Sequence, residues 1–481
     1  MDDYFYQALV LSVLAVVLLQ LVKLALRPAA PRLPLGPWQL PIIGSMHHLV
    51  NVLPHRALQD LAARYGPLML LRFGQIPLVV VSSKETARDV LRTHNTNFAT
   101  RPKLLAGEIV GYEWVDILFA PSGEYWRKLR QLCAAEILNP KRVLSFRRIR
   151  EDEVNTTHAC NLFAVMLRVN LSVMFHSITN SIVSRAAFGK KRKNAPEFLA
   201  ATKAVVGLSS GFNIPDLFPA WTTVLARLTG MTRSLKDIHK TVDTILQEII
   251  DERKTIRDYK IKNGQIENVD ENLVDVLIGL QEKGEFGFDL TNTIIKAIIL
   301  DMFAGGTGTS ASAMEWGMSE LMWNPMVMKE LQGQLREAFR GKEVIMEADL
   351  QASNLRYLKL VIKEALWLAP ACAVTGAEGE HPGLPVERFM PERFEDGAID
   401  FTGSSYEFLP FGSGRRMCPG FHYGLASMEL TFAGLLYYFD WSLPEGVNEV
   451  DMEEAPGLGV RRRSPLILCV TPFVPDTNSA G

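Results

Sequence analysis

The hydrophobic pattern of the chain begins with a long apolar run near the amino terminus. Residues Tyr4 to Leu26 are apolar except for Gln7, Ser12, Gln20 and Lys23, so the run is long enough to span a bilayer as one helix. Basic residues dominate its carboxyl-terminal side, which predicts that the rest of the chain is cytosolic. We therefore predict a transmembrane anchor over residues 4–26. A cleaved signal peptide is the alternative, but the run lacks a basic start and a cleavage site of small residues.

Proline spacing marks residues 27–44 as a stiff hinge. Five prolines lie between Pro28 and Pro41, and this spacing prevents a helix and favours an extended backbone. We predict that the hinge acts as a spacer between the anchor and a globular body over residues 45–481.

Helical and alternating hydrophobic periods follow each other in the first part of the body. Helical spacing predicts helices over His55 to Tyr65, Ser83 to Thr93 and Gly123 to Leu138. Between the first two helices, Leu68 to Phe73 and Leu78 to Val81 are predicted to form two strands joined by a turn.

Helical spacing dominates the remainder of the body. From Arg147 to about Ser319 one helical pattern follows another, interrupted by a proline-containing loop at residues 214–219 and a charged linker from Asp251 to Asp270. Further helices are predicted over Met326 to Phe339, Tyr357 to Leu368 and Leu425 to Tyr438. The pattern predicts a mainly α-helical chain.

One of these helical segments contains an unusual set of glycines. Gly305, Gly306 and Gly308 each cost a helix about 1 kcal/mol relative to alanine, so another group is expected to lie close to this backbone. The spacing Gly306-x-Gly308-x-x-Ala311 also imitates a dinucleotide-binding loop. That alternative requires one strand before the glycines and another strand after the helix that they begin. The segment that follows this helix has helical spacing instead.

Composition narrows the function classes. Of the 481 residues, 48% are hydrophobic, which allows a large core, and the net charge of -2 gives no support for nucleic-acid binding. The five cysteines are widely spaced and include no Cys-x-x-Cys pair. These features favour a reducing compartment and argue against a disulfide framework or a zinc site.

Cys418 is the candidate for metal chemistry. It lies in a glycine-rich loop, residues Phe408 to Gly424, behind two arginines and before an apolar helical run. A thiolate there would lie near a helix amino terminus, where free amides stabilise negative charge and lower a thiol pKa. The alternative is a buried free cysteine in a tight turn.

The spacing Phe411-x-x-Gly414-x-Arg416-x-Cys418-x-Gly420 resembles the haem-binding loop of the cytochrome P450 family. We therefore call residues Phe408 to Gly424 the haem loop. The proline hinge resembles that of microsomal members, notably those of plants. The resemblance implies an iron protoporphyrin whose axial ligand is the thiolate of Cys418, a ligand that favours O–O cleavage.

The same resemblance implies roles for the neighbours of Cys418. Arg416 would face a haem propionate, Phe411 would shield the sulfur, and Gly414 and Gly420 would let the backbone approach the macrocycle. A second pair, Trp126 and Arg130, lies four residues apart on one helix face, so both side chains can meet one anion. In the family such a pair meets a haem propionate.

The glycine-rich helix resembles the central helix of the family, where the groove over the haem passes Gly306. Thr309 stands at the position of the threonine that helps to hold dioxygen and relay protons. Gly308 replaces the acid that usually precedes this threonine. Proton delivery would then involve Thr309, Ser310 or ordered water.

Two further departures concern the core beside the haem. The family's Glu-x-x-Arg motif is degenerate here, because Glu364 is followed three residues later by Trp367. Arg393, in the Pro-Glu-Arg-Phe box, is expected to reach Glu364 as the third member of the network. The segment from Pro370 to Pro391 is also shorter than the family's usual spacing.

The resemblance implies the cytochrome P450 fold, with small peripheral β-sheets and one amino-terminal transmembrane helix, on the endoplasmic reticulum membrane. The implied reaction inserts one atom of O₂ into a small apolar substrate, with electrons from NADPH through a separate reductase flavoprotein. A plant secondary metabolite is the expected substrate class. The alternatives are a thiolate-haem isomerase or dehydratase, and an impaired remnant that binds no haem.

Overall fold

The computed structural model describes residues 33–162, 168–190, 194–264, 272–284, 286–353, 355–368, 388–455 and 459–473. The predicted anchor, residues 27–32 of the hinge and residues 369–387 of the shortened segment lie outside these ranges. Within the described ranges, no helix combines the length and apolarity needed to cross a bilayer. The transmembrane helix therefore stays a prediction.

Helices form most of the described chain, as predicted from the hydrophobic spacing. In chain order they are α1 Pro54–Tyr65, α2 Lys84–Arg88, α3 Asn95–Phe98, α4 Leu105–Ile109, α5 Glu124–Leu132, α6 Pro140–Ser145, α7 Arg147–Leu162, α8 Leu171–Phe188, α9 Ala195–Leu208, α10 Ile214–Leu217, α11 Thr222–Leu228, α12 Met231–Lys262, α13 Leu273–Lys283, α14 Asn292–Gly306, α15 Gly308–Trp323, α16 Pro325–Ala338, α17 Glu347–Ser353, α18 Arg356–Leu368 and α19 Phe421–Tyr438. Short 3₁₀ or π segments cover Met46–Leu49, Asp89–Thr93, Cys133–Ile137, Pro219–Trp221, Pro391–Phe394 and Gly414–Arg416.

Small antiparallel sheets lie beside the helices. The strands are β1 Leu68–Phe73, β2 Ile76–Val81, β3 Arg168–Asn170, β4 Phe439–Ser442, β5 Glu454–Ala455, β6 Arg461–Arg462 and β7 Ile467–Pro472. They pair as β1-β2, β3-β7-β4 and β5-β6. In the first pair Leu68 faces Val81 across the ladder, and Gly74 makes the turn with a φ of +58°. The prediction of a mainly helical chain with small sheets is confirmed.

Two hydrophobic clusters share α8 and meet at the junction of α14 and α15. One cluster packs α15 against α16, α18 and α19 through residues such as Met314, Leu331 and Phe432. The other packs α14 against α12 and α13 through residues such as Ile298 and Ile245. The two glycine-rich central helices therefore lie between the clusters and are held from both sides.

The prediction of a charged linker from Asp251 to Asp270 is wrong for the stretch from Asp251 to Lys262. It belongs to α12, which continues to Lys262. Arg253 in this stretch turns inward and pairs with the buried carboxylate of Asp275 on α13, with Nε 2.8 Å from Oδ1. The helix can therefore continue through the charged residues. The dinucleotide-loop alternative is also excluded, since helix α14 precedes Gly306 and helix α16 follows α15.

Candidate haem site

The central helix is interrupted at the glycines. α14 ends at Gly306 and α15 starts at Gly308; Thr307 lies between them with φ -98° and ψ -67°, within the right-handed helical region. Thr309, which is exposed, donates its hydroxyl hydrogen to the Gly305 carbonyl oxygen at 2.6 Å. The Thr309 hydroxyl is thus hydrogen-bonded to the backbone at the interruption and lies on an open face of the helix.

The three glycines do not share one neighbour. A methyl group built on Gly305 or Gly308 would meet open space, whereas on Gly306 it would lie 3.3 Å from the Val183 side chain of α8. The close packing expected at Gly306 is therefore a contact with protein, and Gly305 and Gly308 border the open face. A role for Gly306 beside a cofactor stays a prediction.

Ser310 lies in a different environment from Thr309. Its side chain is buried, and a methyl group on Gly424 of α19 would lie 3.6 Å from its hydroxyl oxygen. Ser310 therefore packs against the helix that follows the haem loop, and the exposed hydroxyl at the interruption is that of Thr309.

The haem loop is closed around Cys418 by its own backbone. The Cys418 amide donates to the Phe411 carbonyl oxygen at 2.8 Å. The Phe411 ring packs against Phe401 and Phe421, with centroids 5.6 and 5.9 Å away. Gly420 caps α19 and has open space beside its Cα. The half-buried thiol therefore lies in a rigid loop that has room on one side.

Gly414 is required by a contact that the motif alone does not reveal. Its φ is +66°, a left-handed conformation that favours glycine, and a methyl group there would lie 2.3 Å from the Leu91 carbonyl oxygen. The close approach shown by the structure is thus to the π segment Asp89–Thr93. An approach of Gly414 to a macrocycle stays a prediction.

The expected lowering of the Cys418 pKa is wrong for this environment. Burial raises the pKa of the thiol above its ordinary value, although the Gly420 amide and the positive charge of Arg130 both act to lower it. The groups that were expected to stabilise a thiolate are present, but desolvation outweighs them.

Arg416, Trp126 and Arg130 lie close together where α5 meets the haem loop, and their contact with a propionate stays a prediction. The Arg416 guanidinium lies 4.0 Å from the centroid of the Trp126 ring. Its Nη1 and the Trp126 Nε1 both donate to the Ile117 carbonyl oxygen, each at 3.0 Å. Arg130 donates to the Met417 carbonyl oxygen, next to Cys418. Helix α5 and the haem loop therefore meet at one cationic corner.

Positive charge is concentrated at this corner. Burial, followed by repulsion from Arg101 and Arg130, lowers the pKa of Arg416 to about 10, while Asp116 acts in the opposite direction. Arg101 was not singled out in the sequence, because its distance from Arg416 along the chain hides their proximity. A cluster of guanidinium groups that repel each other is an environment suited to an anionic ligand.

Two acids, Asp116, which is buried, and Asp301, which is partly buried, support the backbone that the arginines contact. Asp116 accepts the Phe119 amide hydrogen at 2.8 Å, and Asp301 of α14 accepts the Ile117 amide hydrogen, also at 2.8 Å. Burial raises the pKa of both carboxyl groups, and their mutual repulsion raises that of Asp301 further. Sequence reasoning missed this pair, since no local spacing links residue 116 to residue 301.

Glu364 has a cationic partner despite Trp367. Arg393 donates from Nε to Glu364 Oε2 at 2.7 Å, and both side chains are buried. The other carboxylate oxygen accepts the Met390 amide hydrogen at 2.9 Å, while Arg393 also donates to the Arg388 carbonyl oxygen. The box arginine thus neutralises the glutamate.

A family model named cytochrome P450 matches residues 34–375 and 386–470. The chain belongs to the cytochrome P450 family. By that membership it is a cytochrome P450 monooxygenase. The residues between the two matched parts lie within the shortened segment from Pro370 to Pro391.

Plant enzymes of the same family match the chain over nearly its whole length. Premnaspirodiene oxygenase of Hyoscyamus muticus is 43% identical over 92% of this chain and 94% of its own. Germacrene A hydroxylase of Barnadesia spinosa is 42% identical, over 92% and 93% respectively. Tabersonine 3-oxygenase of Catharanthus roseus is 41% identical over the same shares.

Solved structures support the fold. A zebra fish cytochrome P450 with progesterone superimposes with a TM-score of 0.72 at 21% identity, covering 88% of this chain and all of the other. The family implies a haem-thiolate cofactor. The residues present fit it, because a loop cysteine lies beside a cluster of guanidinium groups, with Arg130 bonded to the carbonyl oxygen of the neighbouring Met417.

Proposed function

We propose that this P450 inserts one atom of O₂ into a small hydrophobic metabolite, with electrons from NADPH through a separate reductase flavoprotein. The names of the plant relatives, an oxygenase of premnaspirodiene and an oxygenase of tabersonine among them, support this substrate class. The observation that carries the proposal is the convergence of Arg416, Trp126 and Arg130 beside Cys418.

Cys418 is proposed to ligate the haem iron, and the cationic corner to hold the propionates. Arg416 and Arg130 now donate to backbone carbonyl oxygens, and guanidinium groups bond more strongly to carboxylates than to neutral carbonyls. Phe411 would screen the sulfur, and the free space beside Gly420 would accept the ring. When bound, a haem with a thiolate ligand supplies the chemistry of O–O cleavage.

Thr309 is proposed to handle the proton that oxygen activation consumes. Its hydroxyl hydrogen now rests on the Gly305 carbonyl oxygen, and the exposed side chain can turn that hydrogen toward the open face. Because Gly308 offers no carboxyl group and Ser310 is buried against α19, Thr309 is the hydroxyl best placed for this task.

The proposed location is the cytosolic side of the endoplasmic reticulum membrane. Apolar side chains are exposed on the described part of the hinge, at Leu35 and Ile42, and on the nearby segment that includes Trp221 and Leu228. A lipid surface would cover these groups, and the predicted anchor over residues 4–26 would keep them against it.

The test is a spectrum of the protein expressed without the residues before Pro28. The reduced, carbon-monoxide-bound form is expected to show the strongly red-shifted Soret band of thiolate-ligated haem, and Cys418→Ala is expected to abolish it. Turnover of terpenoid or alkaloid substrates should then depend on added reductase and NADPH. Purified protein without haem would favour the impaired remnant instead, and turnover without reductase would favour an isomerase or dehydratase.

A further inference from the structure

Trp367 occupies the motif position that an arginine holds in the family, and it lies in a buried aromatic cluster. Its side chain is 8% exposed. The ring centroid is 5.8 Å from that of Phe394 and 5.4 Å from that of Phe408, and these two rings are 5.1 Å apart. The indole is therefore packed as a member of the core.

The same indole also borders the arginine that neutralises Glu364. The Arg393 guanidinium lies 5.6 Å from the Trp367 ring centroid, a distance at which a cation and an aromatic face attract each other. Arg393 and Phe394 are consecutive residues of the Pro391–Phe394 segment, and Trp367 contacts both of them.

The third contact connects Trp367 to the cofactor side of the molecule. Phe408 is the first residue of the haem loop, and Trp367 is one turn after Glu364 on α18. The indole therefore lies between the Glu364–Arg393 ion pair and the start of the loop that carries Cys418.

We propose that Trp367 is a positioning residue for the haem loop. It supports Arg393 beside Glu364 with its ring, and it fixes Phe408 so that Cys418 is presented in one orientation. This inference rests on the proposed function, since it assumes that Cys418 binds haem. It assigns a role to the residue that departs from the family motif.

Arginine at position 367 would not reproduce these contacts. A guanidinium there would lose two features, the ring contacts with Phe394 and Phe408 and the cation–aromatic contact with Arg393. An aromatic replacement keeps both features, so the proposal separates the shape of the side chain from its charge.

The experiment uses Trp367→Leu, Trp367→Phe and Trp367→Arg in the haem-loaded protein that lacks the residues before Pro28. The matched control is Trp316→Leu. Trp316 is also a buried tryptophan, with the Arg462 guanidinium 5.7 Å from its ring, but it packs with Val460 away from the haem loop. For each variant, we would measure haem per chain, the fraction of ferrous–carbonyl haem with the thiolate Soret band, and the Tm of the haem-free protein.

Trp367→Leu is expected to lower the ratio of thiolate-ligated to other ferrous–carbonyl haem by roughly fivefold, the effect of losing one partly buried cation–aromatic contact. Trp367→Phe should retain most of the wild-type ratio, and the ratio in Trp367→Arg should be equal to or below that of wild type. Trp316→Leu should lower the Tm while leaving the ratio unchanged.

Two results would overturn the inference. One is a ratio in Trp367→Leu equal to that of wild type, or lowered no more than in Trp316→Leu. The other is a ratio in Trp367→Arg above that of wild type, which would show that the missing charge matters more than the ring. If wild type itself shows no thiolate Soret band, the proposed function fails rather than this inference.

Discussion

At the scale of single residues, Arg150 on α7 is a fully buried charge. It forms a two-pronged ion pair with Glu347 of α17, with Nη2 at 2.8 Å from Oε2, and its side chain is fully buried. Its guanidinium also lies 5.8 Å from the Tyr423 ring centroid. This pair therefore connects α7 and α17 to the helix that follows the haem loop.

Removing this arginine should be costly because Glu347 would keep an unpaired charge in the core. Arg150→Met is expected to lower the free energy of unfolding by about 3–5 kcal/mol, measured by urea unfolding of the protein without its anchor. The double variant Arg150→Met, Glu347→Met removes both charges and should recover part of the loss. A single variant as stable as wild type would contradict the pairing.

Thr309 gives a prediction about turnover at the same scale. Thr309→Ala removes the hydroxyl that now bonds to the Gly305 carbonyl oxygen, so proton delivery at the open face should fail in most cycles. We expect product formed per NADPH consumed to fall by about tenfold or more, in line with the loss of a proton-transfer group. Thr309→Ser keeps the hydroxyl and should retain most of the yield. Equal yields for Thr309→Ala and wild type would contradict the proposed role.

At the scale of elements, α15 and α18 bring two buried carboxyl groups together. Burial, followed by repulsion from Glu364, raises the pKa of Glu320 to about 7. Burial also raises the pKa of Glu364 to about 6, although the Met390 amide and Arg393 oppose the shift. The folded chain therefore holds protons here that the unfolded chain has already released.

The sign of the resulting pH dependence follows from these raised values. Between the unfolded pKa near 4.5 and the folded value near 7, the folded state binds more protons, so this group's contribution to stability is lost as pH rises. Between these pH values, wild type should lose on the order of 2 kcal/mol of its free energy of unfolding through this group, allowing for partial solvent screening. Glu320→Gln should not show this loss. Urea unfolding at a series of pH values checks this, and an unchanged slope in Glu320→Gln would contradict it.

The elements also show what the sequence could predict. Helices with a regular apolar stripe were predicted within a residue or two, such as Met326 to Phe339 for α16 and Tyr357 to Leu368 for α18. The interruption at Thr307 and the extent of α12 were not predicted. The extent of α12 depends on tertiary contacts, such as the pairing of Arg253 with Asp275, that carry no local signal. The interruption at Thr307 does have a local signal, because it lies among Gly305, Gly306 and Gly308.

The candidate site shows the same division. Motif spacing singled out Cys418, Arg416 and Arg130, because the family keeps these residues at fixed positions. It missed Arg101, Asp116 and Asp301 and misjudged the Cys418 pKa, since those properties arise only when distant segments are packed together. Residue type could be read from the motif, whereas burial required the fold.

At the scale of the whole molecule, the candidate site is assembled from segments far apart in the chain. Arg416 is the main bridge between them, because it donates to the carbonyl oxygens of Ala99, Ile117 and Ala120. The guanidinium of Arg416 therefore connects the haem loop to the loop before α5.

Loss of that bridge should loosen the distant loop. Arg416→Ala in haem-free protein removes a donor from the carbonyl oxygens of Ala99, Ile117 and Ala120, of which Ile117 keeps Trp126 Nε1, and should lower the free energy of unfolding by about 1–3 kcal/mol. Amide hydrogens of residues 117–120 should exchange faster, which hydrogen–deuterium exchange measures. Arg415→Ala is the matched control, since Arg415 is exposed and contacts Asn95 instead. If both variants exchange at the same rate in this loop, Arg416 does not connect the two halves of the site, and its carbonyl contacts contribute little before the propionates arrive.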